Sequence, residues 1–434
     1  MHANSLLKVV RDTPAVRKEL TFVVQLIGNM TETVTCYWSI ESKLIVPKYT
    51  MRPKKQAQVP LELPTSEFQG DLRGEQEVAA RAIYNDLQLN HTSLAYLPTG
   101  YGKTVIAIAT ASCLAGLTKI IIFVHKLALK MQWEEAFDRF APHLSSIVDI
   151  RTVQKQLHNI SELSDYTDDC LLVIDETHHF AAECFQRILQ NSKAEYTLAL
   201  SATAERRDGL SKILELYLGA PSIEITTLAL KPTVEVHRFD AGEETYKFAH
   251  RGVRGESVLD FNNVLDKLTQ CNKRNMFIID LLVSLGERNV LILSKRRQHT
   301  TYLYNYYKAL KPDEDVRCIL GGMKKKDLEA AREVMPDQKS LRLFGTVSSC
   351  GEGFDMPILT CLLFATPCSS VQQEVGRVLR KANPETPPKV IDIVDACGPL
   401  YAQFAKRKAF YLAQEFVIVD RNAPVPREMP FVLS

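Results

Sequence analysis

Leu97-Pro98-Thr99-Gly100-Tyr101-Gly102-Lys103-Thr104 is the stretch on which the reading of this chain turns. It ends a short apolar run at 94–97 and opens a helical pattern over 103–115. That is the strand–loop–helix setting a phosphate-binding loop requires. Gly100 and Gly102 let the backbone curl so that successive N–H groups face an anion. The helix N-terminus adds partial positive charge, Lys103 can reach the β and γ phosphates, and Thr104 can ligate Mg²⁺. The usual string begins with glycine, where this chain has Leu97.

Outward from that loop, apolar runs at 120–124, 171–174 and 197–200 read as buried strands, with helical patterns such as 128–140 between them. Alternating β and α of this kind predicts a parallel sheet covered on both faces. The pattern weakens over about 225–285 and resumes with strands at 290–293, 342–346, 362–365 and 390–394. The economical reading is two α/β lobes joined by a less regular segment. The first seventy residues differ. Stretches 21–27, 31–40 and 43–49 are rich in Val, Ile, Thr and aromatics, and a proline-bearing linker follows them. The expected organisation is a small β-containing accessory domain at 1–70, a first lobe at 71–228 and a second at 229–434.

Two further elements carry chemistry. Leu171-Leu172-Val173-Ile174-Asp175-Glu176-Thr177-His178-His179 is an apolar strand ending in two acids, which sets carboxylates at the carboxyl edge of a sheet, where ligands bind in this fold class. Asp175 would hold Mg²⁺, and Glu176 would orient and polarise the attacking water. Far downstream, Gln373-Glu374-Val375-Gly376-Arg377-Val378-Leu379-Arg380 puts Arg377 and Arg380 on one helix face. If that face meets the phosphate loop from the other lobe, the two arginines can neutralise charge developing on a γ-phosphate.

In this order, with Leu200-Ser201-Ala202-Thr203 and the run from Gly345-Thr346 to Gly351-Glu352-Gly353-Phe354-Asp355 between them, the motifs resemble those of the superfamily 2 helicases. The resemblance covers about residues 70 to 400. It implies two tandem RecA-like lobes with doubly wound parallel sheets, ATP and Mg²⁺ as cofactors, and a nucleic-acid partner. Catalysis falls to Lys103, Asp175, Glu176, Gln373, Arg377 and Arg380. Nucleotide binding falls to Arg73, Gln76, Pro98, Thr99, Gly100, Tyr101, Gly102, Lys103, Thr104, Gly353 and Asp355, with Gln76 reading adenine and Thr104 and Asp175 on the metal. His178, Ser201 and Thr203 would couple hydrolysis to grip. His125, Lys126, Thr152, Gln154, Ser294, Lys324 and Thr346 would touch nucleic acid.

Finer details are similar to the XPB-like motors, a group that includes phage branch-migration helicases of the UvsW kind. They are His125-Lys126 with Gln132-Trp133, the string from His178 to Glu183, and Ser201 through Gly209, with Ala204 where that group usually has proline. RNA helicases of the DEAD and DEAH groups typically place glycine before the last arginine, where this chain has Leu379, and that argues for DNA. The expected partner is branched or duplex DNA, acted on by a monomer. An RNA-remodelling helicase and a duplex translocase without strand separation are the alternatives. Lys295-Arg296-Arg297 and Lys324-Lys325-Lys326 suit phosphate contacts or solvated helix starts. Trp133 and the tyrosines at 302, 304, 306 and 307 suit core packing better than base stacking.

Composition sets bounds without choosing a function. The chain has 434 residues, 46% hydrophobic and 24% charged, which suits an ordinary globular protein with a large core. A net charge of +2 neither demands nor excludes a polyanionic partner, because a basic groove can sit on a neutral molecule. Ten cysteines show no C-x-x-C pair, which points to reduced thiols rather than a metal site. No apolar run approaches the roughly 18 residues of a spanning helix. A soluble, cytoplasmic protein with no membrane contact is expected (host cytoplasm if the source is viral).

Overall fold

The computed structural model describes residues 6–25, 31–51, 62–153, 169–177, 182–202, 210–228, 230–242, 246, 250–253, 256–335, 338–350, 354, 356–368, 371–378 and 386–421. The chain divides into two compact units, Met1–Thr226 and Thr227–Ser434.

The first unit opens with β1 (Leu7–Arg11), α1 (Pro14–Glu19), β2 (Thr21–Gln25), β3 (Thr31–Thr35), β4 (Trp38–Ile40) and β5 (Lys43–Pro47). These strands form two small antiparallel sheets, β1-β5-β4 and β2-β3. The run expected at 31–40 is therefore two strands, separated at Cys36 and Tyr37, that serve different sheets. Next come α2 (Gly74–Asn90), β6 (Thr92–Tyr96), α3 (Lys103–Cys113), β7 (Lys119–Val124), α4 (Leu127–Phe140), β8 (Val148–Thr152) and β9 (Cys170–Ile174). They are followed by α5 (Ala182–Asn191), β10 (Tyr196–Ser201), α6 (Leu210–Leu218) and β11 (Ile223–Glu224). The strands make one six-stranded sheet in the order β11-β6-β10-β9-β7-β8, parallel throughout.

Why a continuous apolar run suits such a strand is visible in the packing. Strand side chains alternate between faces. Leu94, Ile121, Phe123, Leu172 and Ile174 enter one core with residues of α5 and α6. Ala95, Ile120, Ile122, Leu171 and Val173 enter a second core with residues of α2, α3 and α4. Both faces are covered, so both alternating sets must be apolar.

The N-terminal strands do not stand apart from this arrangement. Leu6, Val16, Leu20, Val34, Cys36, Leu44 and Val46 belong to the same contiguous core as Phe185, Ile188, Leu189, Ile213 and Tyr217. The amide N–H of Tyr49 donates to the Leu216 carbonyl at 2.9 Å, and Gln186 Nε2 donates to the Thr35 carbonyl at 2.7 Å.

The second unit holds β12 (Thr233–Phe239), β13 (His250–Val253), β14 (Glu256–Leu259), α7 (Phe261–Gln270), α8 (Asn272–Ser284) and β15 (Val290–Ser294). It continues with α9 (Arg297–Leu310), β16 (Val316–Ile319), α10 (Lys325–Arg332), β17 (Arg342–Thr346), β18 (Cys361–Phe364), α11 (Gln372–Val378), β19 (Lys389–Asp395), α12 (Gly398–Ala413) and β20 (Val417–Arg421). Its sheet runs β16-β17-β15-β18-β19-β12-β20, again parallel, while β13 and β14 form a separate antiparallel pair. Two parallel α/β sheets and a small antiparallel N-terminal region match the expected fold class. The expected irregular joiner at 225–285 is different: it contains a strand inside the second sheet and two regular helices. Polar residues disguised that strand. Glu235 and His237 are buried in β12, and Glu235 pairs with Lys389 at 2.7 Å and Arg421 at 3.3 Å.

Among the described residues no helix is long and apolar enough to cross a membrane. The cysteines with described side chains are free thiols.

Candidate nucleotide site and nucleic-acid edge

β6 and β9 both flank β10, so at the strand spacing of a sheet their carboxyl ends lie about 10 Å apart. The loop after β6 and the acids after β9 therefore face each other across one strand. Lys103, the first residue of α3, spans the gap: its Nζ lies 2.8 Å from Glu176 Oε1, and both side chains are largely buried. The same ammonium is 3.5 Å from the Leu97 carbonyl. Glu176 takes a left-handed backbone conformation (φ 51°), which costs a non-glycine residue on the order of 1–2 kcal/mol. A residue bent in this way at the end of a strand carries its side chain out of the strand's alternation.

Asp175 is buried, and its amide donates to the Phe123 carbonyl at 3.0 Å. Its Oδ2 accepts from Trp133 Nε1 at 2.9 Å, while Oδ1 is buried with no hydrogen-bond partner among the described residues. Burial, and then the charge of Glu176, raise the Asp175 pKa above the usual carboxylate range, against the pull of Lys103 and of the Trp133 hydrogen bond. A buried carboxylate oxygen with no donor is costly unless positive charge is brought to it. The donor set thus fits a divalent cation held by Asp175, with Thr104 half-buried at the second position of α3.

The loop is held from below by α2. Gln76 Nε2 donates to the Tyr101 carbonyl at 2.7 Å, Arg73 reaches the same carbonyl at 3.4 Å, and the Arg73 amide donates to Gln76 Oε1 at 3.1 Å. Gly102 has φ +100°, and a Cβ there would meet Gln76 Nε2 at 2.4 Å. Glycine is favoured at this position for its conformation, and a side chain there would push the Gln76 amide from the Tyr101 carbonyl. Gly100 also has positive φ (83°), and the Tyr101 amide closes a turn onto the Pro98 carbonyl at 3.2 Å. Pro98 is buried and Thr99 half-buried. Ser201 ends β10, and its carbonyl accepts the Leu97 amide at 2.9 Å, joining the end of that strand to the start of the glycine-bearing loop.

Sequence reasoning weighed Trp133 for base stacking against core packing. It lies in the core at 1% exposure, and its indole N–H serves Asp175, a contact that spacing alone gave no reason to expect.

The described nucleic-acid candidates gather at the carboxyl edges of the two sheets. His125 and Lys126 follow β7, half-buried and exposed respectively, and Thr152 ends the neighbouring β8 opposite Val124. Ser294 ends β15 and Thr346 ends β17 directly opposite. Both are buried. Ser294 Oγ lies 3.0 Å from His299 Nδ1 and accepts the Arg296 amide at 3.1 Å. Thr346 Oγ1 lies 2.8 Å from Ser349 Oγ. Gly345 lets this turn close, since a Cβ there would meet Cys350 Sγ at 2.2 Å. Lys324 is exposed just before α10. Beside the β15 loop lies a cavity of about 430 Å³ lined by Asp266, Asn275, Arg296, Arg297, His299 and Tyr302. Both of its arginines are engaged, Arg296 by Asp266 at 2.9 Å and Arg297 by the Gly321 carbonyl at 2.8 Å. Gln373 and Arg377 sit on α11, with side chains outside the description. Gln154, His178, Thr203, Gly353, Asp355 and Arg380 lie outside the described residues.

Comparison with known proteins follows the same lines. Residues 69–206 match the family model described as "Type III restriction enzyme, res subunit". The mimivirus protein of Acanthamoeba polyphaga named "Putative ATP-dependent RNA helicase L396" is 27% identical over 374 residues, 80% of this chain and 69% of its own length. The "DNA 3'-5' translocase XPB2" of Sulfurisphaera tokodaii is 29% identical over 133 residues, 28% of this chain and 29% of its own. The solved fragment of "a putative HsdR subunit of a type I restriction enzyme" from Vibrio vulnificus YJ016 is 16% identical. It covers 82% of this chain and 69% of that one, with a TM-score of 0.56, which shows the fold.

Proposed function

We propose that this chain is a superfamily 2 helicase, an ATP-driven motor acting on DNA, remodelling or unwinding branched substrates such as forks and junctions. The observation that carries the ATP part is the Lys103–Glu176 pair beside an Asp175 oxygen that lacks a donor among the described residues. Phosphate entering the loop competes with Glu176 for the Lys103 ammonium. Once Lys103 turns to the phosphates, the Glu176 carboxylate can accept a proton from an attacking water. The Trp133 indole holds the other Asp175 oxygen, which fixes the carboxylate's orientation. Mg²⁺ bound with the nucleotide would supply the charge that offsets the phosphates. Gln373, Arg377 and Arg380 are the residues we assign to γ-phosphate charge.

Changing affinity for nucleic acid through the ATP cycle shifts populations between states of different grip, which is what moves a motor along a strand. Lys126, Thr152, Thr346 and Lys324, at or beside the sheet edges, suit contact with backbone phosphates, which carries no base sequence. Support for DNA comes from Leu379 in the last motif and from the translocase similarity. The relative named as an RNA helicase keeps RNA as an outcome of the test.

The test is the steady-state ATPase rate at fixed moderate salt with no nucleic acid, single-stranded DNA, duplex DNA, a four-way junction and RNA. Stimulation by DNA, largest with the junction, is expected. Stimulation by RNA alone would overturn the DNA assignment.

A further inference from the structure

Three hydrogen-bonded devices in the second unit converge on residues 365–368, the segment that leaves β18 toward α11. On one side Arg274 and Asp395 form a fully buried two-bond ion pair, with Nε–Oδ1 at 2.7 Å and NH2–Oδ2 at 3.1 Å. The remaining nitrogen of that guanidinium donates to the Ala365 carbonyl. On the other side Arg407 and Asp392 pair at 2.8 and 2.7 Å, and Arg407 NH1 donates to the Cys368 carbonyl. Tyr411 OH also donates to Asp392, at 2.9 Å. Both ends of a four-residue segment are thus gripped by planar guanidinium groups whose own geometry is fixed by carboxylates.

Between the two grips, Thr366 is buried, and its Oγ1 accepts the backbone N–H of Lys295 at 2.9 Å. Lys295 follows Ser294 at the end of β15. Ser294 Oγ is itself held between His299 Nδ1 and the Arg296 amide, and Asn275 Oδ1 lies 2.9 Å from His299 Nε2. Burial lowers the His299 pKa to about 3, so the ring is neutral, and its Nε2–H faces Asn275. Nδ1 is then the acceptor for the Ser294 hydroxyl. The backbone ladder between β15 and β18 ends where the Ala365 amide donates to the Leu293 carbonyl at 2.8 Å, and beyond it, among the described residues, the Thr366 oxygen extends the connection from 365–368 to the β15 loop.

We propose that Thr366 is a positioning residue that ties the β15 loop to the segment leading into the helix of Gln373 and Arg377, so that engagement of nucleic acid at the first changes ATP turnover at the second. The inference rests on the motor reading above for the roles of those two regions. A clamped segment transmits a displacement instead of absorbing it. Without the Thr366 oxygen, the loop beyond Leu293 loses its side-chain tie to the segment before α11, and a shift of that loop is passed on less fully.

The experiment uses the full chain with Thr366→Val, which keeps size and branching but removes the acceptor, and Thr366→Ser, which keeps it. Basal ATPase, maximal DNA-stimulated ATPase and the DNA concentration giving half-maximal stimulation are measured, with thermal midpoints to confirm folding. For Thr366→Val the ratio of stimulated to basal rate falls by at least about fivefold, the low end of ordinary coupling between sites. Half-saturation changes little, and Thr366→Ser restores the ratio. An unchanged ratio in a folded Thr366→Val protein, or equal loss in both variants, overturns the proposal while leaving the motor reading intact. Absence of stimulation in the unmodified chain by any nucleic acid overturns the motor reading, and the coupling with it.

Discussion

The carboxyl edges of the two sheets hold buried charge in opposite states. In the first unit Asp175 keeps one buried oxygen without a donor among the described residues, and Lys103 is paired with a glutamate in a left-handed backbone conformation. In the second unit Arg274, Asp395, Arg407 and Asp392 are paired two-by-two, and the spare donors are spent on backbone carbonyls. Desolvating a charge is expensive in either place. Where partners saturate it, the cost holds a backbone segment in position. Where capacity is left unmet, the group is poised to bind something from outside. Burial of charge alone does not distinguish chemistry from scaffolding; the unfilled valence does.

Substitutions that separate stability from turnover should break this contrast if it is wrong. Arg274→Met leaves Asp395 buried without its partner and is expected to destabilise the second unit by about 3–5 kcal/mol, read as a lower thermal midpoint and denaturant midpoint. Glu176→Gln should lower ATP turnover by about 10²–10⁴-fold, the usual worth of a general base, while ATP binding and thermal midpoint stay near those of the unmodified chain. If Glu176→Gln cost as much stability as Arg274→Met, the two edges would not differ in kind. Trp133→Phe retains most of the core contact but removes the donor to Asp175. A hydrogen bond to a charged group contributes about 1.5–3 kcal/mol, so turnover should fall roughly tenfold or more. Unchanged turnover would mean that Asp175 needs no orientation from Trp133.

What the sequence made legible follows from where each strand sits. Central strands such as β6, β7, β9, β10, β15 and β18 are buried on both faces and read as apolar runs. The edge strands β8, β11, β16 and β20 are half-exposed and carry mixed residues, so no such run marks them. β12 is internal but escaped notice because Glu235 and His237 interrupt it. The loop at 97–104 and the Asp175-Glu176 pair were readable because the chemistry proposed for them needs fixed residue types at fixed spacing. Arg274 and Arg407 were not. An arginine on a helix ordinarily reads as a solvated face, and only the acids within the apolar run Val390-Ile391-Asp392-Ile393-Val394-Asp395 hinted that cations must be buried nearby.

The N-terminal region was read as an accessory domain, yet its core residues are shared with α5 and α6. α5 begins shortly after Glu176. A truncation there would open the first unit's own core.

The most direct test of the central claim is the thermal midpoint of the full chain with and without Mg²⁺ and a non-hydrolysable ATP analogue, for the natural sequence and for Lys103→Ala. A ligand at a hundred times its Kd adds about 2.7 kcal/mol to the state that binds it. The account predicts a clear rise for the natural sequence and little or none for Lys103→Ala. An equal rise in both would contradict it and move the nucleotide site away from the first sheet's edge.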